Sequence, residues 1–164
     1  FWSITLYCLS RGLILDERRF IYISGIALGC ALLSKYTAVL ILPGIFLFLV
    51  FSPAKRHLLW GKDIYLALLL AIIVFSPVII WNYQHDWVSF AFQFHHGVPS
   101  DKQLNMAGLG DYVGSLLGAA NPFISLPLLV FMYIKRRQIF KDPRYLLLLS
   151  IFVFVVLFFA YNSF

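Results

Sequence analysis

One ammonium and three imidazoles stand out in this chain because almost everything around them is hydrocarbon. Lys35 interrupts an apolar run from Phe20 to Phe51. His85, His95 and His96 lie in WNYQHDWVSFAFQFHHG, Trp81 to Gly97, a stretch that holds three of the four histidines. An ammonium can neutralise a phosphate, and an imidazole can move a proton, bind a metal or bond a sugar hydroxyl. An ionisable residue inside an apolar run is a functional candidate by default. Each residue also has a plain alternative. Lys35 can snorkel its charge to an interface, and interfacial histidine, like tryptophan, is amphipathic and needs no further purpose. Neighbouring His95 and His96 diverge on a helix and do not readily share one ion. No zinc-ligand spacing surrounds them. Spacing alone therefore leaves both readings open for Lys35 and for the histidines.

The elements that must hold these groups follow from composition. Of 164 residues, 62% are hydrophobic and 12% are charged, against about 45–50% and about 25% in soluble domains. So few charges cannot cover a soluble fold of this size, and the chain is expected to be an integral membrane protein, all-α and polytopic. It starts and stops inside apolar runs, without an initiator Met or a signal-peptide n-region, and is expected to be an internal piece of a longer protein. The whole of 1–164 is then part of one transmembrane domain. Cys8 and Cys30 sit in apolar runs and act as small hydrophobes. No CxxC signature occurs.

Helices cross a bilayer in roughly 20 apolar residues. Phe1–Leu15 reads as the end of a span. Phe20–Phe51 as one helix would be about 48 Å long, too long for a hydrocarbon core of about 30 Å. It divides into Phe20–Leu33 and Ala38–Phe51, turning at SKYT. Ile64–Trp81, Tyr112–Ile134 and Tyr145–Tyr161 complete about six spans. Pro122 and Pro127 in the fifth imply a kink or the broken helix of a transporter. Charge tests this division independently. With the SKYT fold-back, eleven of the 13 Lys and Arg residues fall on one side, which the positive-inside rule makes cytoplasmic, and Lys35 and Lys102 on the other. A net charge of +6 would suggest nucleic acid in a soluble chain; here the placement of charge matters more, and no nucleic-acid partner is expected.

The fold-back puts Lys35 on the same outer face as the histidine-bearing loop. Within that loop the spacing predicts an amphipathic helix over Asp86–His96, with Asp86 as N-cap and Gly97 as the C′ residue. Trp87, Phe90, Ala91 and Phe94 share one face and Asp86, Ser89, Gln93 and His96 another. Such a helix lies flat in the interface, aromatics in the headgroups. Asp101, Lys102 and Asp111 read as solvated loop charges, and Asp16 and Glu17 as local partners of Arg18 and Arg19. No GxxxxGK[ST], GxSxG or HExxH motif occurs.

Two blocks carry a family resemblance: GIALGCALLSKYTAVLILPG, Gly25–Gly44, and FSPVIIWNYQHDWVSFAFQFHHG, Phe75–Gly97. The chain resembles bacterial members of the dolichyl-phosphate-mannose–protein mannosyltransferase superfamily, glycosyltransferase family 39 and its relatives, including the aminoarabinose transferase that modifies lipid A. The resemblance implies a GT-C enzyme of the inner membrane that moves a sugar from a polyprenyl-phosphate carrier to an acceptor on the outer face. Displacement at the anomeric carbon needs a base for the acceptor's proton and positive charge at the leaving phosphate. The family's acidic catalytic residue lies in a first outer loop, expected upstream of Phe1. The resemblance further implies that Lys35, beside Tyr36, contacts the donor phosphate. It implies that His95 or His96 approaches the catalytic acid, in some relatives through a divalent metal, with His85 and Gln93 as supporting contacts. Membrane lipids and the lipid-linked donor are the implied partners. A transporter or non-catalytic scaffold, with Lys35 and the prolines lining a path, is the alternative.

Overall fold

A computed structural model describes residues 1–97 and 141–162, together with 110, 114, 130, 133, 134 and 138. Every regular element among them is helical. The order is α1 (Trp2–Ile14), α2 (Arg18–Ser34), a 3₁₀ turn (Tyr36–Leu40), α3 (Ile41–Phe51), a second 3₁₀ turn (Arg56–Trp60), α4 (Lys62–Gln84), α5 (Val88–Gly97) and α6 (Pro143–Asn162). The predicted span Tyr112–Ile134, with Pro122 and Pro127, and the loop charges Asp101, Lys102 and Asp111 lie outside the described residues, apart from the isolated positions just named.

The all-α class is borne out. α4, and α6 over Pro143–Tyr161, are long and apolar enough to cross a membrane; α1, α2 and the Tyr36–Phe51 segment are shorter. Leu69, Ile72, Ile73 and Ile80 on α4 are each more than half exposed. Water would penalise such a surface at roughly 25 cal/mol for each Å² left uncovered, whereas lipid tails solvate it.

The predicted break at SKYT is real, and its form differs from a simple hairpin. α2 stops because Lys35 turns extended, at φ −160° and ψ 125°. The backbone N–H of Lys35 still reaches the Ala31 carbonyl at 2.9 Å, and the Ala38 N–H reaches the Lys35 carbonyl at 3.0 Å. The chain then tightens into the 3₁₀ turn and runs straight on into α3. It does return: Lys55, just after α3, lies 2.7 Å from a carboxylate oxygen of Asp16, just before α2. Yet α2 packs between α1 and α4, whereas α3 packs on α6. A cavity of about 380 Å³ lies among α1, α2, α3 and α4, lined by Leu9, Leu28, Ile45, Leu49 and Ile64 among others.

What draws α2 to α4 is a pair of glycines one turn apart. Gly25 and Gly29 face Ala67, Ala71 and Val74. A Cβ on Gly25 would fall on the Ala67 carbonyl, and one on Gly29 would stand 2.6 Å from Val74 Cβ. Small residues spaced four apart on both helices let the backbones approach, the association mode that works in lipid, where apolar area alone gives no drive. On the other side, Gly44 of α3 meets Ile151 of α6 in the same way. The core assembled by these contacts comprises Leu9 and Leu13 of α1, Leu28 of α2, Ile41, Phe48 and Leu49 of α3, Ala71 of α4, and Leu147 and Ile151 of α6.

α4 contains a proline, Pro77, whose missing N–H leaves the Ile73 carbonyl without its helical partner. The Ser76 hydroxyl donates to that carbonyl at 2.7 Å. This is the re-satisfaction by a neighbouring hydroxyl that makes proline tolerable in an apolar helix.

Candidate functional site

Charged side chains tie the connections together at one end of the molecule. The Arg11 guanidinium bonds Glu17 across the α1–α2 turn. Asp16 takes a left-handed φ of 58°, and its carboxylate holds Lys55 at 2.7 and 2.8 Å. Lys55 also donates to the Ile14 carbonyl at 3.4 Å. The Tyr22 hydroxyl donates to Asp63 at 2.5 Å, with Arg18 at 3.7 Å from the same carboxylate. These bonds join the α1–α2 connection to the starts of α2 and α4 and to the end of α3. The expected partnership of Glu17 with Arg19 is present at 3.7 Å, but the tighter partners of this acidic pair are Arg11 and Lys55. The sequence reading paired only neighbours and missed contacts made across 39 residues of chain.

Lys35 and Tyr36 occupy the opposite end of α2. Lys35 is exposed, and among the described residues its ammonium has no ion-pair partner. Tyr36 is half-buried. Its ring stands 6.0 Å from Phe75 on α4 and 5.5 Å from Phe90 on α5, and Phe75 and Phe90 are 6.4 Å apart. Trp87 stacks on Phe90 at 5.8 Å. This aromatic triangle fastens the turn after α2 to the first turn of α5. The Lys35 turn is thus joined to the helix that carries His95 and His96 through its neighbour Tyr36.

The predicted helix Asp86–His96 is present as Val88–Gly97, with two corrections. Asp86 is not the N-cap: it and Trp87 take left-handed φ values of 51° and 59°. Gly97 closes the helix rather than following it. The N–H of Ser89 is instead accepted by the Asn82 side chain, at 3.1 Å. Nothing in the sequence pattern singled out Asn82; the only hint was an amide seated where α4 must end.

His85 lies in the α4–α5 connector. Its Nδ1 is 2.8 Å from the Trp81 carbonyl, and its ring stacks on the Trp81 indole at 4.1 Å and 11°. A carbonyl only accepts, so Nδ1 carries the proton and Nε2 is the nitrogen left to meet a ligand. Gln93 is exposed on α5, and among the described residues no hydrogen bond joins it to Lys35, Tyr36 or His85. His95 and His96 belong to the last turns of α5; their side chains lie outside the described residues. Among the described residues no three His, Cys, Asp or Glu side chains gather into a metal-holding set.

An exposed cation at a helix turn, fastened to an aromatic-rich amphipathic segment, can hold a phosphate while polar groups beside it meet a hydrophilic ligand. Comparison with known proteins specifies the setting. Residues 1–81 match the dolichyl-phosphate-mannose-protein mannosyltransferase family. The resemblance read from the sequence is thereby borne out over α1 to the Trp81 turn of α4. In this mannosyltransferase match, Lys35 and Tyr36 lie inside the matched residues, and His85, Gln93, His95 and His96 follow them. The chain is also 27% identical over 111 residues to RgtD, a lipid A galacturonosyltransferase of Rhizobium johnstonii. That alignment covers 68% of this chain and 23% of the relative, so the chain spans less than a quarter of the relative's length. No solved structure matches the chain significantly.

Proposed function

We propose that this chain is part of an integral membrane glycosyltransferase of the GT-C type that moves a sugar from a polyprenyl-phosphate carrier to an acceptor at the outer face of the inner membrane. The observation that carries the reading is the family match over residues that include the Lys35 turn, together with the aromatic packing of that turn on α5. The basic residues around the α1–α2 and α3–α4 connections gather at one end, which the positive-inside rule assigns to the cytoplasm. Lys35, at the other end of α2, is then outward.

The chemistry suits that placement. The carrier's lipid tail stays among apolar helices while its phosphate reaches the interface. There the Lys35 ammonium opposes the charge that builds on the phosphate as the glycosidic bond breaks, an interaction stronger in the transition state than in the bound donor. Tyr36 holds the turn. His85, through Nε2, Gln93, and His95 or His96 supply hydrogen bonds on the sugar side. The base that takes the acceptor's proton is assigned, by the family resemblance, to an acidic residue of a first outer loop. A divalent metal, where relatives use one, would be held by His95 or His96 together with that acid.

Full-length protein in proteoliposomes should transfer sugar from a polyprenyl-phosphate sugar to a lipid or glycan acceptor, with the loss of donor matched by a mass increase of the acceptor. In the same preparation, single cysteines at positions 35 and 96 should both be modified by a membrane-impermeant maleimide from the outer side, and one at position 56 should not. Absence of transfer from every polyprenyl-phosphate sugar offered, or labelling of positions 35 and 96 from opposite sides, would overturn the reading.

A further inference from the structure

The α4–α5 connector holds two consecutive non-glycine residues, Asp86 and Trp87, in the left-handed region. Such a residue is strained and persists only where its surroundings over-determine it. Here much of that support comes from one residue, Asn82. Asn82 is fully buried, at 0% exposure. Its Nδ2 donates to the Val78 carbonyl at 3.0 Å, and its Oδ1 accepts the Ser89 N–H at 3.1 Å. Its backbone carbonyl accepts the N–H groups of His85 at 3.1 Å and Trp87 at 2.8 Å. One residue thus closes the last turn of α4, satisfies one of the first orphan N–H groups of α5, and bonds the residue before the strained pair and the second member of that pair. The Tyr36–Phe75–Phe90 triangle rests on the segment so placed.

We propose that Asn82 is a positioning residue for the outer site: its buried carboxamide fixes the start of α5, and so sets where the His95–His96 end of that helix stands relative to the Lys35 turn. The inference rests on the transferase reading above. A carboxamide is the side chain the geometry requires, because a donor must face Val78 and an acceptor must face Ser89 at the same time. Alanine supplies neither. Aspartate supplies both only when protonated; ionised, it turns a lone pair toward the Val78 carbonyl. Burial raises a carboxyl pKa, so Asn82→Asp converts the clamp into a pH-dependent one, engaged at low pH and released as pH rises. The other titratable groups described at this end, Lys35, Tyr36, Tyr83, His85 and Asp86, are unchanged in the variant, and their effect is read from the wild type across the same range.

The test measures amide hydrogen exchange and sugar transfer on full-length wild type, Asn82→Ala and Asn82→Asp. In Asn82→Ala, exchange over residues 87–97 should speed at least tenfold with α4 protection up to position 78 unchanged, and transfer should fall at least tenfold. In Asn82→Asp, protection and transfer should both return at low pH and fall together as pH rises, a profile the wild type does not show. Unchanged exchange in Asn82→Ala refutes the clamp. Faster exchange with undiminished transfer refutes the positioning role. A wild type without transferase activity refutes the functional reading and the positioning role together, while the exchange data still decide whether the clamp exists.

Discussion

Lys35→Ala should lower sugar transfer by about two to three orders of magnitude in the full-length enzyme, with insertion and folding intact. Removing one group that stabilises developing charge typically costs about 10²–10³ in kcat. The ammonium is exposed and has no ion-pair partner among the described residues, so its loss leaves no counter-charge stranded and its effect should fall on chemistry rather than on stability. The backbone of Lys35, which ends α2 and starts the 3₁₀ turn, is available to any residue in extended conformation. Lys35→Arg should recover part of the rate, since guanidinium keeps the charge but spreads it over a planar fork. Single-turnover rates at saturating donor separate this from donor affinity. A Lys35→Ala enzyme that turns over normally removes the residue from the site.

The second large effect is expected at Gly25. Gly25→Leu should disrupt the α2–α4 contact, because even the first atom of the new side chain collides with the Ala67 backbone, and a backbone cannot rotate away as a side-chain tip can. Overpacking of a tight interface costs about 1–3 kcal/mol, and the loss here includes the matching Gly29–Val74 approach. The neighbouring Ile26 is 45% exposed, so Ile26→Leu should be nearly silent. Thermal or denaturant unfolding of the full-length protein in detergent measures both. Equal stability of Gly25→Leu and Ile26→Leu would mean that the helices meet elsewhere. Since Tyr36 at the end of α2 touches Phe75 on α4, moving α2 should also move the Lys35 turn, and transfer should fall with stability.

Hydropathy and charge carried the fold a long way. The break at Lys35 was legible because a 32-residue apolar run exceeds any bilayer and because the basic residues would otherwise straddle it. The α5 helix was legible from its aromatic spacing. What escaped was partner choice. The SKYT fold-back made α2 and α3 neighbours along the chain but did not say which helix each packs against; the glycines at 25 and 29 send α2 to α4. The ion pairs escaped for a related reason: Asp16 has a basic near neighbour in Arg18, and its bond to Lys55 exists only once α3 has returned. Within the proposed site, a charge in an apolar run drew attention to Lys35, and the family resemblance gave it, with Tyr36 beside it, a proposed role. Asn82 could not, because its importance lies in two hydrogen bonds and a left-handed pair that leave no periodic trace.

α2 has 17 residues, a length of about 25 Å. It ends at the one cation of its apolar run, and the bilayer's oily layer is about 30 Å thick. In the proposed membrane arrangement, with α2 as a span, one this short would be accommodated by local thinning of the lipid around it. The dimple so formed would draw headgroups and water down to Lys35, so that a hydrophilic phosphosugar could reach the ammonium without leaving the aqueous boundary. Membranes of longer-chain lipids should resist that deformation and slow the enzyme, even though they alter no residue of the site.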